Sequence, residues 1–152
     1  MRTFSKILSL VLVLAMMVGL CAFGATAEFK DQDQIEYPEA CAVLNGIGVL
    51  LGDADTGNFR PKDGLKRAEA CVILAKLLGY PEGSSAASGF ADCAGHWGEK
   101  YIALCVNEGI VSGYGDGNFG PNDKLTGSAF TLMCLRALGF DPAKENIGGP
   151  EW

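Results

Sequence analysis

Apolar residues fall at helical spacing in four stretches of this chain, and the four form two matched pairs. Ala70, Ile73, Leu74, Leu77 and Leu78 stand at i, i+3, i+4, i+7 and i+8, and Phe130, Met133, Cys134, Ala137 and Leu138 repeat that spacing sixty residues later. This predicts two amphipathic helices that bury the same stripe. A shorter helix is expected ahead of each, over Ala40, Val43, Leu44 and Ile47 in one case and over Tyr101, Leu104 and Cys105 in the other. Trp97 lies one turn before Tyr101 and is expected on the same face. Gly46, Gly48 and Gly109 end the short helices, and Gly79 and Gly139 end the long ones, each of these two followed by an aromatic residue and then by Pro81 or Pro142. That order fits a left-handed cap with an apolar contact behind it.

The polar stretches are duplicated as well. Phe29-Lys30-Asp31 returns as Phe90-Ala91-Asp92 and Gly48-Val49 as Gly109-Ile110, both at an offset of sixty-one. After a one-residue difference in the turn the offset is sixty, and Gly57-Asn58-Phe59-Arg60-Pro61 returns as Gly117-Asn118-Phe119-Gly120-Pro121. Each copy is therefore a helix, an ordered glycine-rich loop and a second helix, with Phe59 or Phe119 placed to plug the loop into the core. Such repetition belongs more often to binding or assembly modules than to enzymes, because each unit buries its apolar face on the next.

The first 27 residues read as a secretory signal peptide: Arg2 and Lys6, an apolar run from Ile7 to Leu20, and the small-x-small site Ala25-Thr26-Ala27. The run is shorter than the ~20 apolar residues a membrane span needs. Bulky Leu20 before Cys21 argues against lipid attachment. The divisions expected are thus a leader at 1–27, a first repeat at 28–81, a small polar linker at 82–89, a second repeat at 90–140 and a tail at 141–152 that reads as truncated.

Losing Arg2 and Lys6 with the leader takes the formal charge from −6 to −8. Nucleic acid and anionic membranes repel such a surface, so neither is an expected partner, and contact with membrane is expected only before the leader is cleaved. Cys41, Cys71, Cys93, Cys105 and Cys134 show no CxxC or Cys/His spacing and do not recur at the repeat offset. Zinc is not expected. Most of the five read as small core residues, with one disulfide and spare thiols as the alternative. Asp53-Ala54-Asp55 begins like a calcium loop, but Gly57 takes the third ligand position and Gly64 the place of the bidentate glutamate, leaving an acidic turn. No metal or cofactor is expected. His96 is the sole histidine and no nucleophile signature surrounds it, so no catalytic residue is assigned.

Against this acidic background Arg60, Lys62, Lys66 and Arg67 fall within eight residues, opposed only by Asp63, at the expected start of a helix. Free N–H groups and the helix dipole favour anions there, and the planar fork of arginine suits a carboxylate. In the second copy the four cations become Gly120, Asn122, Thr126 and Gly127, and Glu69 becomes Ala129; only Lys124 supplies charge. Anion contact is expected to concentrate on the first copy. The capping box is divided in the same way: the first copy keeps Glu69 behind Lys66, the second keeps Thr126 without the glutamate.

Phe-x-Asp, His96-Trp97, Tyr101-Ile102, Gly109-Ile110-Val111-Ser112-Gly113-Tyr114 and Asp116-Gly117-Asn118-Phe119-Gly120-Pro121, in that order, resemble the S-layer homology (SLH) domain of bacterial surface proteins. Leu65-Lys66-Arg67-Ala68-Glu69 is similar to that family's Thr-Arg-Ala-Glu signature, with lysine for threonine, and the resemblance covers nearly all of residues 29–140. It implies a mainly α fold of tandem helix-loop-helix repeats, part of a pseudo-threefold spindle. It also implies a secreted, non-enzymatic module at the cell wall or S-layer that binds secondary cell-wall polysaccharide, often through acidic pyruvylated sugars. The site residues it points to are Arg67, Lys66, Lys62 and Glu69, with Trp97, Tyr114, Asp116 and Gly117 completing a groove between repeats. The family commonly uses three repeats, so the alternative is a structural surface-layer component that self-associates or needs a third repeat or a partner chain.

Overall fold

A computed structural model of the chain describes residues 29–140; the expected leader and tail lie outside the described residues. The fold is mainly α. Its helices are α1 (Pro38–Gly46), α2 (Arg67–Leu77), α3 (Glu99–Asn107) and α4 (Gly127–Ala137), with short 3-10 turns at Gln32–Gln34 and Ala91–Cys93. The helix bounds keep the sequence offsets: α3 begins and ends sixty-one residues after α1, and α4 sixty after α2. Among the described residues there is no strand, only an isolated antiparallel bridge between Lys66 and Lys124.

All four helices stop in the same way. The N–H two residues past the C-terminal cap residue reaches back five residues: Val49 to the Leu44 carbonyl, Tyr80 to Ala75, Ile110 to Cys105 and Phe140 to Leu135, at 2.8–3.1 Å. The glycine just before each has φ between 71° and 86°, which glycine adopts without the penalty a Cβ would bring.

The described residues divide into two compact units at the Arg60–Pro61 junction, inside the first sequence repeat. In the first unit, Asp31 accepts the N–H groups of Phe59 at 2.7 Å and Arg60 at 2.8 Å, and the rings of Phe29 and Phe59 lie 5.2 Å apart. Phe29, Ile35 and Val49 are buried. Helix α1 buries none of its residues. Val43 and Ile47, expected on a buried stripe, are 64% and 57% exposed.

In the second unit, α2 of the first repeat packs against α3 of the second, and α4 packs more lightly on α2. The core joins Ala68, Ala70, Cys71 and Leu74 of α2 to Ile102, Cys105, Ile110, Val111 and Phe119 of the second repeat and to Met133 of α4. Phe119 is fully buried, worth roughly 1.5–3 kcal/mol by area removed from water, and its ring meets Phe90 at 5.6 Å. Asp92 repeats the role of Asp31, accepting from Phe119 N at 3.0 Å and Gly120 N at 2.7 Å. The duplicated Phe-x-Asp and Gly-Asn-Phe motifs are thus two ends of one contact, an aromatic pair beside a carboxylate that ties down the loop.

Several sequence expectations change here. The buried stripe of α2 is rotated toward its small residues, Ala68, Ala70, Cys71 and Ala75, which let α3 approach closely, while Leu77 and Leu78 are exposed. On α4 only Met133 is buried, and Leu138 is 74% exposed. Trp97 is not core: it is 58% exposed, because α3 starts only at Glu99 and leaves Trp97 in the turn before it. Residues 82–89 do not hang free. Ser84 N donates to Lys100 O at 2.8 Å, Tyr101 Oη donates to Pro81 O at 2.9 Å, and Ser88 is buried. The five described cysteines are free thiols; Cys71, Cys93 and Cys105 are fully buried.

Candidate functional site

Arg67 is the first residue of α2, and its side chain crosses from the first repeat into the second. Nε donates to the carbonyl of Phe119 and Nη2 to that of Ser112, both at 2.9 Å. The guanidinium lies 4.3 Å from the Phe119 ring centroid and 4.8 Å from that of Tyr114, within cation–π range on both. Two of its five N–H donors are engaged by these bonds, and the rest are left for water or a ligand.

The helix start differs from its expected state. Its N–H groups are not open to an anion: Arg67 N donates to Asp123 O and Ala68 N to Pro121 O, each at 3.0 Å. Lys66 N donates to Glu69 Oε2 at 2.9 Å, which completes the carboxylate half of the capping box. The lysine ammonium has no lone pair to supply the other half. Any attraction for anions therefore comes from side-chain charge rather than from the helix terminus.

That charge is assembled by the bridge. Leu125 N donates to Leu65 O at 2.7 Å, and Lys66 and Lys124 are directly paired across the two segments. Residues so paired share one face with their Cβ atoms about 4.5–5.5 Å apart, and like charges there repel. An anion bound between them would relieve that repulsion. Lys62 is exposed nearby in sequence, whereas Arg60 lies in the first unit, 3.8 Å from Asp53. Asp53 itself closes an Asx turn onto Asp55 N and Thr56 N.

Tyr114 and Asp116 stand on the loop that Arg67 holds. The Tyr114 hydroxyl donates to Asp123 Oδ2 at 2.9 Å, and this bond raises the phenol's pKa. Asp116 accepts from Asn118 N at 2.9 Å, a bond that lowers its own pKa, and Gly117 with φ 90° completes the turn. Tyr114 is 57% exposed. Trp97 lies beside His96, ring centroids 5.3 Å apart, on the rim of an open cleft of about 430 Å³ that Ser84, Ser85 and Lys100 also line. His96 Nδ1 accepts from Gly98 N at 3.1 Å, a positioning bond. Arg67 does not line that cleft; with Arg136 it borders a separate one of about 100 Å³.

Sequence reasoning missed the partners of Arg67. Ser112, Phe119 and Asp123 take part through backbone carbonyls, which leave no trace in residue type. Lys124 was visible as a lone cation, but its pairing with Lys66 depends on the two repeats meeting in antiparallel sense.

Comparison with known proteins agrees with this fold. The family profile described as the S-layer homology domain matches residues 89–131. An S-layer protein of Bacillus licheniformis is 30% identical over 97% of this chain and 17% of its own length. Cell surface glycoprotein 1 of Acetivibrio thermocellus is 39% identical over 69% of this chain and 5% of its own length. A cellulosome-anchoring protein of the same organism is 35% identical over 54% of this chain and 19% of its own length. The chain thus spans no more than about a fifth of the relatives it matches here. By its helices, its motifs and these matches, the chain is an S-layer homology domain protein.

Proposed function

We propose that the chain is a non-enzymatic module of the cell surface that attaches without covalent bonds to secondary cell-wall polysaccharide, recognising acidic sugars of the pyruvylated kind. The observation that carries this reading is the pairing of Lys66 with Lys124 next to Arg67, in a chain of net negative charge. Lys66 and Lys124, with exposed Lys62, supply the charge for a sugar carboxylate; Arg67 offers the donors its carbonyl partners leave over. Tyr114 offers an exposed ring for a pyranose face, and Glu69, Asp116 and Gly117 hold the backbone around it. Trp97 offers a second exposed ring, on the 430 Å³ cleft. Relatives named as S-layer and cellulosome-anchoring proteins support an anchoring role.

Titration with purified wall polysaccharide tests the reading. Replacing Lys66 and Lys124 together by glutamine should weaken binding at least tenfold, about 1.4 kcal/mol. Polysaccharide stripped of its acidic substituents should bind both proteins equally weakly. Undiminished binding by the double variant removes this cluster from the site, and undiminished binding of the stripped polymer removes the acidic sugar.

A further inference from the structure

The repeat offsets permit a comparison of each helix with its own counterpart, one covered and one not. On α2, Ala68, Cys71, Leu74 and Ala75 are buried beneath the second repeat. Their counterparts on α4 are Ser128 and Thr131, both exposed, and Cys134 and Leu135, both half-buried. On α3, Ile102, Ala103, Leu104 and Cys105 are buried. Their counterparts on α1 are Cys41, Ala42 and Leu44, half-buried, and Val43, 64% exposed. The described residues hold one finished helix pair, α2 with α3, and one unfinished helix of each kind.

The segments that lead into and through the unfinished helices also differ in the sign of their charge. Residues 31–46, leading into and through α1, carry Asp31, Asp33, Glu36 and Glu39 and no lysine or arginine. Residues 124–137, leading into and through α4, carry Lys124 and Arg136 and no acid. Opposite charge favours encounter and sets register. We infer that α1 of one copy of this chain docks on α4 of a second copy, in the way α3 docks on α2 within the chain. The contact is heterologous, a head on a tail rather than a face on itself, so it builds a closed ring or an open row. It involves no sugar; of its charged groups only Lys124 is shared with the polysaccharide reading, and neither variant below touches that residue.

Light scattering on the full chain without polysaccharide, loaded up to ~100 µM so that an interface below ~1,200 Å² is still populated, is the test. The wild type should show at least twice the monomer mass, rising with concentration. Labelling of Cys41 and Cys134 should slow as it does. Val43→Glu and Thr131→Glu lie at exposed positions and should each leave a monomer of unchanged helix content. Mixed one to one they should give a dimer and nothing larger, since each brings one intact face. A wild type at monomer mass throughout overturns the inference, as does association that either variant leaves intact, or a mixture that stays monomeric.

Discussion

Arg67 Nε donates to the carbonyl oxygen of Phe119 at 2.9 Å, joining residues fifty-two apart and one repeat to the other. The same guanidinium holds Ser112 O and covers two aromatic rings. The arginine of the signature motif is therefore a strut as well as a candidate ligand group, and its two roles separate in stability and binding measurements.

Arg67→Ala strips two charge-assisted bonds, one to the half-buried carbonyl of Phe119 and one to the exposed carbonyl of Ser112, and should cost about 1–3 kcal/mol of the second unit's stability. Arg67→Lys keeps the charge but cannot span both carbonyls, and should recover less than half of the loss. Urea unfolding followed by circular dichroism reads both; a change under about 0.5 kcal/mol for the alanine variant contradicts the strut.

Lys66→Thr should stabilise the fold by about 1 kcal/mol, raising Tm by roughly 4–8 °C. In the second repeat Thr126 Oγ1 accepts Ala129 N at 3.2 Å, the bond that Lys66 cannot accept. The same substitution removes one charge of the Lys66–Lys124 pair, so polysaccharide binding should fall while Tm rises. A variant that loses both would place Lys66 outside the cap.

Stability should fall in acid through Asp92. The bond from Phe119 N, opposed by burial and then joined by the bond from Gly120 N, holds its carboxyl below the ordinary 3.8. With the folded pKa lower than the unfolded one, the contribution is complete above 3.8 and drains away as pH drops through the folded value. Asp31 follows the same direction: burial acts to raise its pKa, but the bonds from Phe59 N and Arg60 N outweigh it. Asp92→Asn should flatten the acid limb of a Tm-against-pH curve without altering its form above pH 5; an unchanged limb would falsify the assignment.

Gly120→Arg copies the first repeat, where Arg60 stands at φ 60°, yet it should destabilise by more than about 1 kcal/mol. Gly120 has φ 72°, and a Cβ there would run into the Asp123 carboxylate and the Tyr114 ring. Arg60→Gly should be neutral or mildly stabilising by relief of the left-handed backbone. Thermal melts of the pair give the sign of each.

Thiol reagents at pH 8 should label Cys41 and Cys134 at least roughly tenfold faster than the other three described cysteines. Burial pushes the Cys93 thiol up to about 11. The bond between Cys71 and Cys105, together with burial, raises the Cys71 thiol well beyond the normal range. Mass spectrometry of the labelled chain reads the order; early labelling of Cys71 would show that α2 and α3 part readily.

The helices, their glycine stops and the motif order were legible in the sequence because each rests on local rules: periodicity, positive φ and capping. Which residues are buried was not. Val43 and Leu104 hold equivalent places in the pattern, yet one is exposed and the other buried, since burial depends on whether another helix arrives. Trp97 misled for a related reason: its spacing from Tyr101 is helical, but α3 begins two residues too late to carry it inward. Arg67 was found by its charge and by the likeness of Lys66-Arg67-Ala68-Glu69 to the family signature; its carbonyl partners had no residue-type signal to find.

The junction at Arg60–Pro61 places the period of the gene and the period of the folded core out of step by about half a repeat. Residues 28–81 standing alone have an α2 without the α3 that shelters it, so one period by itself holds no finished core. What carries a finished core by itself is the straddling segment from Pro61 onward, so a fragment cut in the loop keeps an interior that a fragment cut between the repeats leaves open.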